Sequence, residues 1–196
     1  ANLISSISML ACAKLGITHC VLFEDLSNEA IKIRLKLLKS TILITAADID
    51  SYNHKIKSQK KIKKITFFQN ANKLNDRFNM DLKKFLSKKS FNPFKYEYEK
   101  IKSNKPFFVL FTSGTTGVPK GIIHSTGGYL VYSKYTCINQ FGMDNNTVML
   151  TASDAGWMNG HTYALYGPLL MGAKTILIEK PMSLINETLF KKILLN

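Results

Sequence analysis

The chain has 196 residues, 45% of them hydrophobic and 20% charged, the balance of an ordinary soluble globular protein with enough length for one well-filled core. No apolar run approaches the roughly eighteen residues a membrane span needs. No basic segment precedes the apolar amino end, so neither a membrane anchor nor a signal peptide is expected. Cys12, Cys20 and Cys137 are odd in number and never in C-x-x-C spacing, which argues against a disulfide framework and a zinc site and fits a reducing cytoplasm. The net charge of +14 comes almost wholly from lysine, with Arg34 and Arg77 the only arginines. Arginine is the better bidentate reader of phosphates and bases, so the excess reads as a solvated basic surface, not as a nucleic-acid footprint.

In chain order, Leu3, Ile4, Ile7, Leu10, Ala11 and Leu15 recur at helical spacing and Gly16 ends the run. "ITHCVLF" (Ile17–Phe23) reads as a buried strand. Ser27 is an N-cap for a helix carrying Ala30, Ile31, Ile33, Leu37 and Leu38. "TILIT" (Thr41–Thr45) and "KITFF" (Lys64–Phe68) are strands, separated by a lysine-rich excursion. Residues 81–105 mix one short amphipathic helix with polar connection.

"PFFVLF" (Pro106–Phe111) is the next strand, and "GIIH" (Gly121–His124) follows a loop. A helix runs through Gly127–Phe141, "TVMLTA" (Thr147–Ala152) is a strand, and His161–Gly172 a helix interrupted by Pro168. "KTILIE" (Lys174–Glu179) is a last strand, and the chain stops at "KKILLN", inside a helical pattern. Short apolar strands alternating with helices predict an α/β fold: largely parallel sheets with helices on both faces.

The loop after "PFFVLF" carries the chemistry. "TSGTTGVPKG" (Thr112–Gly121) holds three glycines, four hydroxyls, one proline and one lysine. The common phosphate-loop pattern fails, because its second glycine falls on Pro119. The physics persists: Gly114 and Gly117 let backbone N–H groups turn toward an anion. Thr112, Ser113, Thr115 and Thr116 add hydroxyls, which also suit Mg²⁺, and Lys120 adds one point charge. On residue types alone, a polar surface loop between two strands remains the alternative.

The whole string resembles the phosphate loop of the adenylate-forming (ANL) superfamily. "MLACAKLG" (Met9–Gly16), "HSTGGYLVYS" (His124–Ser133) and "SDAGWMNGHTYALYGPLLMGA" (Ser153–Ala173) resemble its acetyl-CoA and propionyl-CoA synthetase branch, and only about Tyr52 to Lys105 lacks matching segments. The resemblance implies that residues 1–196 are a fragment of the AMP-binding N-terminal domain of such an enzyme. The mobile carboxy-terminal lid domain, with its catalytic lysine, is expected outside this stretch. It implies ATP, Mg²⁺ and CoA, and a two-step reaction in which a small carboxylic acid becomes an acyl-adenylate and then a thioester. Thr112, Ser113, Gly114, Thr115, Thr116, Gly117 and Lys120 would hold the β- and γ-phosphates. Trp157, Met158, Asn159 and Gly160 would lie at the acid, with Asn159 also near CoA. A lone tryptophan is otherwise a core anchor, and His161, which opens a helix, is either a ligand contact or a cap or packing residue.

The chain also departs from the branch. Acetate-activating relatives carry Val-Thr where Met158-Asn159 stand, which points to another short acid or one with a polar substituent. Relatives carry "FGGFS" where this chain has "FEDLS", so Glu24 and Asp25 replace two glycines. The arginines that relatives offer to CoA phosphates are absent from "AADIDSYNHKIK", leaving Lys55 or Lys57 as point charges. The leading expectation is therefore an acid:CoA ligase core. The alternatives are an adenylating ligase with a non-CoA acceptor, a basic nucleic-acid-binding domain, and a non-catalytic remnant that binds nucleotide.

Overall fold

The computed structural model describes residues 3–23, 26–46, 63–68, 79–81, 97–112, 118–178 and 186–195. They gather into two compact units, one of Ala1–Val21 with Glu99–Asn196, the other of Leu22–Tyr98. In the second unit α2 (Asn28–Leu38), which follows α1 (Leu3–Lys14) of the first, starts at Ser27, whose hydroxyl accepts the Ala30 N–H at 3.2 Å. It closes at Lys39, whose backbone is left-handed (φ 50°). Three strands follow, β1 (Ile42–Ala46), β2 (Lys63–Phe68) and β3 (Asn79–Asp81), all parallel in that order, with Ile44 opposite Ile65 and Thr66 opposite Asn79. β3 has no counterpart in the sequence reading, being only three residues long; the short helix expected after Asp81 lies outside the described residues.

The first unit opens with α1 (Leu3–Lys14). It stops where Gly16 takes φ +61°, and a Cβ there would sit 2.7 Å from the Ile101 side chain. The segment expected as a strand from Ile17 to Phe23 is reduced to a single parallel bridge, His19 to Phe108. That bridge falls on β4 (Pro106–Thr112), which pairs along its other edge with β5 (Lys120–Ser125). The β4–β5 pair is antiparallel, with Thr112 opposite Lys120. Every other described pairing is parallel. The exception follows from length: a short loop can return the chain only antiparallel, because a parallel return needs a crossover.

α3 (Thr126–Phe141) follows directly. Its first-turn donors are satisfied by a preceding loop: Thr126 N–H reaches the Lys105 carbonyl at 2.9 Å and Gly127 N–H the Ser103 carbonyl at 2.7 Å. Gly142, left-handed at φ +59°, ends the helix. Strands β6 (Val148–Leu150) and β7 (Lys174–Ile176) then pair in parallel. The helix expected between them is not a plain α-helix: Gly160–Tyr166 is a π segment, followed by α4 (Gly167–Leu170) with Pro168 in its first turn. A last helix, α5 (Glu187–Leu195), continues the expected helical pattern. No described helix is long and apolar enough to cross a membrane.

Phe107, Phe108, Val109 and Leu110 of β4 are all buried. Four consecutive buried residues mean a strand covered on both faces. Around it pack Met9 of α1, Tyr129 of α3, Ala155, and Leu165 and Tyr166 of the π segment. Two histidines belong to this core. His161 is fully buried and His19 partly exposed, and burial lowers both from the ordinary 6.5 to about 4. Their proximity to each other lowers His19 further; for His161 the carbonyls of Ala155 and Trp157 oppose the shift. Folding therefore favours the neutral rings. The unfolded chain binds more protons below pH 6.5, so stability is full above that pH and declines as pH falls toward about 4. For His161 the loss reaches up to about 3 kcal/mol. A His161→Phe variant, lacking the titrating ring, should show a visibly flatter fall in thermal midpoint between pH 7 and pH 4.5; an identical pH profile would remove His161 from the account.

Candidate functional site

The loop that carries the glycines is anchored on a rigid base. Thr112 and Lys120 are the paired residues at the loop end of β4 and β5 and face each other across the ladder, which places a hydroxyl at one strand end and a cation at the other. Thr112 and Lys120 are both exposed, as is Val118. Ser113, Gly114, Thr115, Thr116 and Gly117 lie outside the described residues. So do Glu24, Asp25, Lys55 and Lys57.

The second expected site is a tight turn ahead of the π segment. Asp154 organises it: its carboxylate accepts the Gly156 N–H at 2.6 Å and its carbonyl the Trp157 N–H at 3.0 Å. The His161 N–H then donates to the Trp157 carbonyl at 3.0 Å. Trp157 is 61% exposed, so it is not a core anchor. Met158 packs partly against the core cluster, and Asn159 is exposed. Gly160 is buried with its Cα against the Asp154 carbonyl, where any Cβ would overlap it.

The π geometry behind this turn is held from both sides. The Thr151 hydroxyl donates to the Tyr163 carbonyl and the Thr175 hydroxyl to the Ala164 carbonyl, each at 2.8 Å. Gly167 closes it, its N–H bonding the Thr162 carbonyl, with no room for a Cβ between that carbonyl and the Cys137 sulfur. Such wide turns are rare and occur frequently at functional sites. Sequence reasoning read only a helix here. The available signal was the pair of glycines at 160 and 167 bracketing the segment, yet i→i+5 bonding has no composition mark of its own.

His161, read as a ligand contact, a cap or a packing residue, is a packing residue. Its ring lies 4.6 Å from Phe108 and stacks on His19 at 5.8 Å with planes 6° apart. Phe108 also stacks on His124 and meets Tyr129 edge-on, both at 4.6 Å. Tyr129 shares a hydrogen bond with the Thr162 hydroxyl at 3.0 Å, and burial pushes its phenol up to about 12. Tyr166 bridges the Met9 carbonyl at 3.1 Å and His19 Nε2 at 3.3 Å. Thus β4, which leads into the glycine loop, and the turn at Trp157–Gly160 rest on the same aromatic cluster.

With this geometry in place, the comparison with known proteins is decisive. The AMP-binding enzyme family matches residues 5–194. The chain belongs to that family. This AMP-binding chain is 33% identical over 190 residues to an acetyl-coenzyme A synthetase of Vibrio cholerae, covering 89% of the chain and 29% of that protein. It is 35% identical over 189 residues to a 3-hydroxypropionyl-coenzyme A synthetase of Metallosphaera sedula, covering 88% and 28% respectively. The fold is that of the crystal structure of a Brucella canis acyl-CoA synthetase, with TM-score 0.72 at 22% identity, over 88% of this chain and 30% of that one. The chain therefore spans less than a third of the length of these relatives.

The Asp154–Gly160 contact gives a direct check. Gly160→Ala should lower stability by about 1–3 kcal/mol, since the added methyl forces the turn away from the Asp154 carbonyl. An unchanged denaturant midpoint would mean the turn relaxes without strain.

Proposed function

We propose that the protein containing this chain activates a short-chain carboxylic acid with ATP and passes the acyl group to CoA, giving acyl-CoA, AMP and pyrophosphate. The observation that carries the proposal is the loop of residues 113–119, closed by Thr112 opposite Lys120 in a chain of the AMP-binding family. In the first step a carboxylate oxygen of the acid forms a bond to the α-phosphorus of ATP. The bond from that phosphorus to the bridging oxygen breaks, and pyrophosphate leaves. Such in-line transfer is helped mainly by positioning and charge neutralisation. Thr112, Ser113, Gly114, Thr115, Thr116, Gly117 and Lys120 hold the departing phosphates through N–H groups, hydroxyls and one ammonium. Mg²⁺ fits the same place, because hard cations take oxygen ligands and the loop offers hydroxyls beside the nucleotide's phosphates; there it would neutralise phosphate charge. In the second step the CoA thiol adds to the acyl carbonyl, a C–S bond forms, and AMP leaves.

Trp157, Met158, Asn159 and Gly160 face the acid in this reading. Met158 and Asn159 favour a short acid with some polar character over acetate. The relative from Metallosphaera sedula is named for 3-hydroxypropionate, which supports a pocket of this branch tuned to such an acid. CoA as acceptor is supported by the names of the relatives. A non-CoA acceptor is the second reading, favoured by Glu24 and Asp25 in place of glycines and by the lack of arginine in residues 46–57. Acid-dependent pyrophosphate exchange without thioester formation at any CoA concentration would select that second reading.

In the natural polypeptide, Lys120→Ala should slow acid-dependent ATP–pyrophosphate exchange about 10²–10³-fold, the value of one well-placed cation on transferring phosphate. Gly117→Val should impair it more, and near-normal exchange in both variants would end the phosphate role. Met158→Val with Asn159→Thr should raise the rate with acetate relative to polar short acids by about tenfold. An unmoved acid profile would place both residues outside the pocket.

A further inference from the structure

His161, one of whose expected roles was a ligand contact, is instead a core residue directly after the Trp157–Gly160 turn. It is fully buried, and among the described residues neither ring nitrogen has a partner in hydrogen-bond geometry, although the Ala155 and Trp157 backbone lies close enough to act on its charge. A buried imidazole without partners is costly compared with an apolar ring of similar size, so its place has to be understood through its faces. One face lies on His19, which the His19–Phe108 bridge fixes to β4. Phe108, from β4 itself, meets the ring at 4.6 Å. The backbone N–H of His161 holds the Trp157 carbonyl at 3.0 Å. One residue thus ties the turn by its backbone and ties β4 by its ring.

Gly160 removes slack from this link. Packed directly on the Asp154 carbonyl, it leaves the turn no room to move toward that side. Asp154 in turn holds Gly156 and Trp157. The ring packed on His19 and Phe108 and the backbone bond to Trp157 thus belong to the same residue.

We propose that His161, packed against the adjoining rings of His19 and Phe108, is a positioning residue for the acid: it sets the Trp157–Asn159 turn relative to β4, acting through ring shape and not through its nitrogens. The proposal rests on the reading of Trp157–Gly160 as the acid-contacting turn. In the natural polypeptide, His161→Ala removes the ring and His161→Phe keeps a flat ring without nitrogens. His161→Ala should raise the KM for the acid about tenfold or more while the KM for ATP moves less than about threefold, because a small misplacement near the reacting group is expensive. His161→Phe should restore the acid KM to within about threefold of the native value. A second readout does not need activity: Trp157 emission, taken as the difference between each protein and its Trp157→Phe counterpart. It should shift in His161→Ala and return in His161→Phe.

Equal rises in both KM values, no rescue by phenylalanine, or an unmoved Trp157 emission in a folded His161→Ala would each overturn the proposal. If His161→Ala does not fold, His19→Ala against His19→Phe tests the neighbouring ring of the same contact by the same readouts, with the same outcomes deciding. A native protein without acid-dependent exchange for any short acid would instead end the functional reading, and the emission arm would then decide the positioning alone.

Discussion

Phe108 is enclosed by rings on every side: His124, Tyr129 and His161 each at 4.6 Å, Phe107 at 5.6 Å and His19 at 5.8 Å. These come from α3, β5, the π segment, β4 itself and the bridge segment after α1. Aromatic contacts at such distances add to area burial through edge-to-face and offset geometry. The first unit is therefore organised around one strand residue that five stretches of chain share. Loss of that ring would leave a cavity with no single neighbour able to fill it, the costly case among core truncations.

That shared residue explains how the two expected sites come to rest on one cluster. β4 carries four buried residues in a row and then, at Thr112, ends in the glycine loop. The turn before the π segment likewise ends in exposed Trp157 and Asn159 while its backbone is pinned by Asp154 and Gly160. In both places, polar or exposed groups stand at the edge of rigid elements. Groups held this way have less freedom to lose on ordering than groups on free loops.

Much of this was legible from residue types. The N-cap at Ser27, the stop at Gly16, the apolar run of β4 and the helix ending before Gly142 all rest on local chemistry, and the structure has each of them. Pairing direction was not local information: β5 reads like any short apolar strand, and only the shortness of its connection made it antiparallel. "ITHCVLF" has the composition of a strand yet pairs at His19 alone, because apolar content reports burial and not the presence of an edge to join. At the site, the glycines and hydroxyls were legible as residue types, and the pairing of Thr112 with Lys120 at their two ends was not. The ring packing on His161 could not be read, since it joins positions 19, 108 and 161 through space.

The bridge at His19 also fixes where the chain leaves and re-enters the first unit. His19 N–H reaches the Phe107 carbonyl at 3.3 Å, Val109 N–H the His19 carbonyl at 2.9 Å, and Glu99 N–H the Lys14 carbonyl at 2.9 Å. Departure near Val21 and return near Glu99 are thus stitched together, and everything between them, the second unit included, is topologically an insertion. Lengthening such an insertion is cheap, about 0.6 kcal/mol for each doubling of a flexible loop. The lysine-dense "HKIKSQKKIKK" falls in the sequence between those stitches and not in the stretches that surround Phe108.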